Sequence, residues 1–502
     1  MDLFYNTDMA MGTRKKQEAE EGFWVARAAL PTGAGHPFYQ RLNQLLDETR
    51  FDRFVEERCQ RFYAHTMGRP SLAPGVYFRL LLGGYFEGID SERGMAWRAN
   101  DSLGIRRFLR IGLEEAGPDH STISRTRRRI DVETHREVFV WVLRRVAESG
   151  LLQGQTVGID ATTLEANAAL RSIVRRDTGE GYQEFLQRLA KESGMATPTR
   201  EELARLDRKR PHKGSNQDWE HPYDRDARIT KLKDGRTHLA HKAEHAVDME
   251  SGAVVAVTIQ PADRGDTDTL KATLAEAREA IAAVTVETPG PEAGEPVQPP
   301  RPAAVVLDKG YHSNEVLVDL KQAGVRSYGS EPERGRRSWK GKRAEQAAVY
   351  ANRRRVRGRH GKELLRQRGE KVERSFAHVY ETGAMRRVHL RHHPNILKRL
   401  LVQVAAFNLG LVMRKMLGKG TPRGFQDCRT GLLAGLAQWL TQLGAQPGVL
   451  PSFLEGLARA ARWPGNSQRL HMPIPNFATS TTGCYANFRR SGDAWRSAHG
   501  WL

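Results

Sequence analysis

Between residues 36 and 150 apolar side chains recur at three- and four-residue spacing, the period of helices packed on one another. Pro74 to Phe86 places its apolar positions this way. Asp119 to Ile130 follows Gly117-Pro118 and reads as a capped helix start leading into a basic face. Val138 to Val146 continues as a buried helix. From Gln155 the pattern changes to strands. Thr156 to Ala161 is the first, His241 to Val247 the second and Ala253 to Ile259 the third. Asp248 to Gly252 joins the last two as a hairpin turn, with glycine supplying a positive φ. Leu270, Leu274, Ala277 and Ile281 mark an amphipathic helix over 267–283. Ala303 to Asp308 is a strand, Asn314 to Gly324 a helix closed by glycine, and Val325 to Gly329 a short strand. A helix over about Glu363 to Val379 follows, then a long one over Ile396 to Leu417, ended by Thr421 to Gly424. The remainder mixes a helical part, Leu432 to Leu443, with a loop-rich tail.

Three stretches interrupt this order. Residues 171–236 are polar and poor in strand signal, an insertion with short helices at Tyr182 to Ser193 and Thr199 to Leu206. Residues 289–302 are a proline-rich linker. Residues 331–362 form a second, basic insertion. No internal repeat is present. The expected architecture is α+β or α/β: a mixed sheet flanked by helices over 151–420, preceded by an all-helical domain over 36–150 and followed by a tail, 425–502, of open role.

Charge narrows the partners. Against 59 acidic residues the chain has 79 Lys and Arg, a net charge of +20 over 502 residues, which suits a polyanion. Residues 334–374 hold 16 Lys/Arg against 4 Asp/Glu, so +12 of the excess is concentrated there. No run of about 18 apolar residues was found, which argues against a membrane span. Cys59, Cys428 and Cys484 are scattered, with no zinc or redox spacing, and fit a reducing cytoplasm.

Three carboxylates stand out. Asp160 ends the run Thr156-Val157-Gly158-Ile159-Asp160, Asp308 ends Ala303 to Leu307, and Glu373 lies in the helical Lys371-Val372-Glu373-Arg374-Ser375-Phe376. Two strand-end aspartates and a helical glutamate suit a divalent-metal site acting on phosphodiesters, because hard cations take oxygen ligands and the substrate phosphate completes the shell. Taken singly, each has a plainer reading: a turn or cap former for the aspartates, a surface ion pair for Glu373. Glu363 and Glu370 compete for the helical role but lack the Val-Glu-Arg-Ser-Phe setting. Arg125 and Arg128 on the 119–130 helix, Arg353, Arg354, Arg355 and Arg357, and Lys371 and Arg374 beside Glu373 are the candidate DNA contacts. For the 119–130 helix a helix-turn-helix and a plain bundle both fit. Trp339 and Tyr350 are candidates for stacking on bases. Lys242 and His245 are candidates for contacts near the site or for a structural role, and His389, His392 and His393 read as a solvated or phosphate-contacting cluster rather than a zinc site.

These pieces resemble the DDE-type transposases of bacterial insertion sequences. The resemblance covers roughly residues 60–420 and rests on the order and spacing of Asp119 to Ile130, Gly158 to Thr162, Asp234 to Leu239, Lys242 to Asp248, Leu307 to Tyr311, Val372 to Phe376 and Ala405 to Leu409. It implies a ribonuclease-H-like catalytic domain with Asp160, Asp308 and Glu373 as catalytic metal ligands. It also implies two Mg²⁺ ions, replaceable by Mn²⁺ and about 3.5–4 Å apart. The expected reaction is cleavage at the element's terminal inverted repeats, then transfer of the freed 3′-hydroxyl into double-stranded target DNA by a homodimer acting at the bacterial nucleoid. One departure is visible. Where such families often place a lysine two turns after the glutamate, this chain has Tyr380, with Arg386-Arg387 beyond, and the basic residues before it are Arg366, Arg368 and Lys371. The competing readings are a non-catalytic DNA-binding regulator or degenerate transposase, and a metal-dependent nuclease without strand transfer.

Overall fold

The computed structural model describes residues 35–425 except 65–67, 69–70, 196, 210–213, 232–234, 286–301 and 336. The expected proline-rich linker, apart from Pro302, and the expected helix at 432–443 lie outside the described residues.

The described residues between 36 and 150 are helical, as their periodicity predicts. Seven helices follow in order: α1 Pro37–Glu48, α2 Phe51–Cys59, α3 Pro74–Glu87, α4 Glu92–Asp101, α5 Leu103–Leu109, α6 His120–Arg129 and α7 Val132–Glu148. Asp119 caps α6 by accepting from the Ser121 N–H, and Asp131 caps α7 by accepting from Thr134. A buried ion pair welds the start of the bundle: Arg79 of α3, 1% exposed, donates to both carboxylate oxygens of Asp52 on α2.

The sheet then begins with β1 Thr156–Glu165. Next come β2 Val174–Arg175, α8 Tyr182–Glu192, α9 Arg200–Lys209, β3 Trp219–Glu220 and β4 Arg228–Lys231. Strands β2 and β3 pair with each other and, with α8 and α9, close a small separate core around Trp219. Strand β4 falls inside the expected insertion yet joins the main sheet. The chain continues through β5 Thr237–Asp248, β6 Val254–Pro261, α10 Asp266–Thr285, β7 Ala304–Leu307, α11 Asn314–Gln322 and β8 Arg326–Gly329. The last helices of the described residues are α12 Arg343–Arg357, α13 Arg359–Phe376 and α14 His393–Leu417. A π-helical turn, Ala377–Thr382, extends α13.

The main sheet runs β4-β5-β1-β7-β8, with β6 also on β5. β5 pairs antiparallel with β1, β4 and β6, whereas β1, β7 and β8 run parallel. Three antiparallel strands followed by two parallel ones beside the first, with helices on the sheet, is the arrangement expected of a ribonuclease-H-like domain. The hairpin turn between β5 and β6 uses Gly252 at φ 78°.

Two expectations change. β1 does not stop at Ala161, because β5 pairs with it as far as Glu165, well beyond the end of β7. The basic stretch 331–362 is largely regular: α12 occupies 343–357 and α13 starts at Arg359 rather than Glu363.

One hydrophobic core runs through the helices and the sheet. Helix α14 is its axis, with Leu400, Val404, Ala405, Leu409 and Met413 all buried. Contrary to the expectation that no segment is apolar enough, the stretch His393–Phe425 could cross a membrane by length and composition; 89% of its apolar window is buried inside the fold, as in a core helix.

Candidate active site

The last parallel pair between β1 and β7 is Ile159↔Leu307, so Asp160 and Asp308 are the next residues in register. In-register residues of parallel strands point to the same face, which aims both carboxylates the same way. Helix α13 packs across that face. A Cβ at Gly158 would lie 3.3 Å from Val372 Cγ2 and 3.4 Å from Arg368 Cγ. Glycine there lets α13 approach β1 two residues before Asp160.

Arg368 of α13 bridges the pair. Its guanidinium donates to Asp160 Oδ2 at 2.7 Å and lies 3.3 Å from Asp308 Oδ1. Asp160 is mostly buried, and burial raises its pKa, opposed by the Arg368 charge and by the Ala161 N–H that donates to Oδ1. Asp308 is more open, at the mouth between β7 and a short 3₁₀ turn, Lys309–Tyr311. Two neighbouring carboxylates repel unless a cation sits between them, and the guanidinium supplies that charge.

Glu373 follows Val372 on α13. Val372 is buried on the sheet, and one residue further round the helix Glu373 is exposed. Its carboxylate has no ion pair or hydrogen bond among the described residues, whereas Glu363 is held by Arg366 and Gln367 and Glu370 by Arg374. Asp160, Asp308 and Glu373 are not drawn into one tight cluster. Among the described residues the trio whose ligand atoms all lie within 4.8 Å is Asp224, Asp226 and His392.

Beside Asp160, its antiparallel partner His245 is fully buried. It sits between Ser375 Oγ at 2.9 Å and Tyr380 Oη at 2.6 Å, so the end of α13 and the π turn are tied to β5 through one imidazole. Burial lowers its pKa to about 3. Tyr380, at the position where a basic residue was expected, is buried here, its hydroxyl against His245. On the opposite sheet face Glu244 accepts from Thr269, Thr273 and Tyr311, the last at 3.0 Å, and Lys242 pairs with Asp266 at 2.6 Å. Tyr311 thereby pins the turn that follows Asp308. Both Lys242 and His245 are buried, which excludes them from direct DNA contact in this conformation.

The arginines divide into two groups. Arg353 makes a two-pronged ion pair with Glu331, Arg355 donates to the carbonyl and hydroxyl of Ser327, and Lys371 donates to the Met249 and Glu250 carbonyls. These three hold the fold together. Arg125, Arg128, Arg354 and Arg357 are exposed, as is Arg374, which shares its charge with Glu370. Trp339 and Tyr350 meet edge-on, 6.2 Å apart, each under an arginine.

Sequence reasoning ranked Arg368 only as one basic residue among several. Its bridging role depends on the packing angle of α13, which no local pattern encodes. Glu244 was missed for a similar reason, since its partners come from α10 and the Asp308 loop.

Two family models match the chain. Residues 26–129 match the transposase domain DUF772, and residues 198–409 match the transposase DDE domain. The second match includes Asp308 and Glu373 and begins after Asp160. Fold and family matches thus define a DDE-domain protein of mobile DNA. The chain belongs to the DDE transposases of insertion elements, and such proteins act on DNA. Comparisons with curated proteins and with solved structures give no match.

Proposed function

We propose that this transposase cuts at the ends of its element and joins the freed 3′-hydroxyl to target DNA. The observation that carries the reading is the placement of Asp160 and Asp308 side by side past the last β1–β7 pair, under the helix that bears Glu373. The donor set fits a hard divalent cation: oxygen donors alone, with a guanidinium now balancing the two aspartates. Asp160, Asp308 and Glu373 would hold Mg²⁺, with Mn²⁺ as a substitute. When bound, the metal lowers the pKa of the attacking water or hydroxyl and stabilises the leaving oxygen.

The protein's own residues do the rest. β1 and β7 fix the two aspartates on a rigid ladder, while Glu373, exposed on α13, adjusts to the reaction step. Arg368 must leave its bridge for metal to bind, which brings a guanidinium to the edge of the site, where phosphate charge develops. Val372 and the His245–Ser375–Tyr380 contacts hold α13 on the sheet during that exchange. Arg354, Arg357 and Arg374 would track the DNA backbone near the site, with Arg125 and Arg128 as contacts from the helical domain. No side-chain nucleophile is required. Terminal inverted repeats would be recognised by a homodimer, since two ends are joined together.

The test is an assay with pre-cut 3′-hydroxyl ends, Mg²⁺ and a plasmid target. Joined products are expected. Cleavage without joining would make the protein a nuclease, and binding alone would make it a regulator.

A further inference from the structure

A second polar cluster lies away from the carboxylates. The loop between β3 and β4 carries Asp224 and Asp226, β5 carries His241, and the start of α14 carries His392 and His393. Asp224 and His241 are fully buried. Asp224 Oδ1 accepts from the His392 N–H at 3.2 Å, and Asp226 Oδ2 from the His393 N–H at 2.9 Å. Helix capping accounts for those two oxygens. It does not account for Asp224 Oδ2, both ring nitrogens of His241 or Nε2 of His393, which are buried without a hydrogen bond. His241 Nε2 approaches Asp224 Oδ2 to 3.3 Å, close enough for an ion pair but without hydrogen-bond geometry.

Several buried polar atoms left without partners in one place are costly to a fold unless something pairs them. They lie close together. The His241 and His393 rings are 5.1 Å apart, and His392 Nδ1 is 3.9 Å from Asp226 Oδ2. Ligand atoms of Asp224, Asp226 and His392 all lie within 4.8 Å of one another. Two ligands about 2.0 Å from a tetrahedral zinc stand roughly 3.3 Å apart, the separation of Asp224 and His241. Mixed imidazole and carboxylate donors favour zinc over the magnesium that an all-oxygen set selects.

We propose that this cluster binds a structural Zn²⁺ ion. Asp224 and His241 are ligands from the buried side, and Asp226 with His392 or His393 complete the shell from the α14 side. The ion would staple three separate stretches: the β3–β4 loop, the middle of β5 and the start of the core helix α14. It is distinct from the carboxylate site in donor chemistry and in role. From sequence the histidines read as a solvated or phosphate-contacting cluster with no cysteine near; their acidic partners, 168 and 167 positions earlier, are joined to them only by the fold.

The test uses the full chain, equilibrated with Zn²⁺ and passed over chelating resin, with bound zinc measured by elemental analysis and thermal melting followed in parallel. About one zinc per chain is expected in the wild type and equally in Asp308→Asn, together with a higher melting temperature. Asp224→Asn with His241→Gln should lose the zinc and its thermal shift. Should that pair fail to fold, Asp226→Asn with His392→Asn, on the open side, decides: affinity should fall roughly tenfold or more. A wild type that retains no zinc overturns the proposal, as does a folded variant of either pair that binds zinc as the wild type does. Zinc lost on Asp308→Asn would also overturn it, by assigning the ion to the other site.

Discussion

At the residue scale, Arg368 is the most informative side chain. It sits between two carboxylates that would otherwise repel, in the place the proposed metal would take. Arg368→Ala should therefore tighten metal binding and lower stability without metal. Mn²⁺ titration followed by thermal melting checks both effects: the mutant should melt below wild type in chelator and saturate at lower Mn²⁺. Unchanged behaviour in both would mean the guanidinium does not compete. The arginines also separate by partner. Arg354→Gln with Arg357→Gln should weaken DNA binding and flatten its salt dependence by up to about 0.9 in log–log slope per lost phosphate contact. Arg353→Gln and Arg355→Gln break contacts to Glu331 and Ser327, so their effect should appear in melting temperature first. Equal salt slopes in wild type and the Arg354/Arg357 variant would remove that pair from the DNA path.

At the scale of elements, two edge strands of the sheet, β6 and β8, are each capped by an asparagine on a packed helix. Asn408 of α14 accepts from the Val254 N–H at 2.9 Å and donates to its carbonyl at 2.8 Å. Asn352 of α12 does the same for Gly329, at 3.0 and 2.8 Å. Each amide acts as one residue of an absent strand, satisfying edge groups that would otherwise pair with another chain. Asn408→Ala should cost about 2–4 kcal/mol, since a cavity and two unsatisfied backbone groups result; urea unfolding measures it, and a loss under about 1 kcal/mol would show that water replaces the amide. The elements themselves were largely legible in the sequence. Period-3.6 and period-2 runs mark the helices and most strands because one face of each is buried. β4 was hidden because it is four residues long in a polar setting, and the full length of β1 because its extension depends on a distant partner, β5. Asp160 and Asp308 were legible as run-ending acids, but their adjacency depends on the register of β1 with β7, which local pattern does not contain.

For the whole molecule, the helical bundle and the sheet share one core through α14, which contacts α3 and α7 as well as β6. A fragment beginning near residue 151 should thus be insoluble or molten, by near-ultraviolet circular dichroism, because it exposes the α14 face that α3 and α7 cover; a cooperative two-state melt would contradict this. The bundle also carries an acid sensitivity. His135, fully buried between the Tyr77 hydroxyl and the Asp131 carbonyl, has its pKa lowered to about 3, chiefly by burial. The unfolded chain takes up this proton near pH 6.5 and the folded one does not, so stability is intact above that value and falls as pH drops towards 3. His135 alone should contribute a slope approaching about 1.4 kcal/mol per pH unit, about 1.6 kcal/mol between pH 6.5 and 5, beside a similar contribution from the buried His245. Urea unfolding at both values checks it, with His135→Gln expected to remove about half of the fall contributed by these two histidines. The central claim is that Asp160, Asp308 and Glu373 act together on one phosphodiester. The most direct measurement is end joining with Mg²⁺ by Asp160→Asn, Asp308→Asn, Glu373→Gln and, as a comparison, Glu370→Gln, each alongside binding to the same DNA end. The account predicts loss of joining by at least about a thousandfold in the first three, with binding retained and Glu370→Gln near wild type. Joining that survives in any of the first three would contradict it.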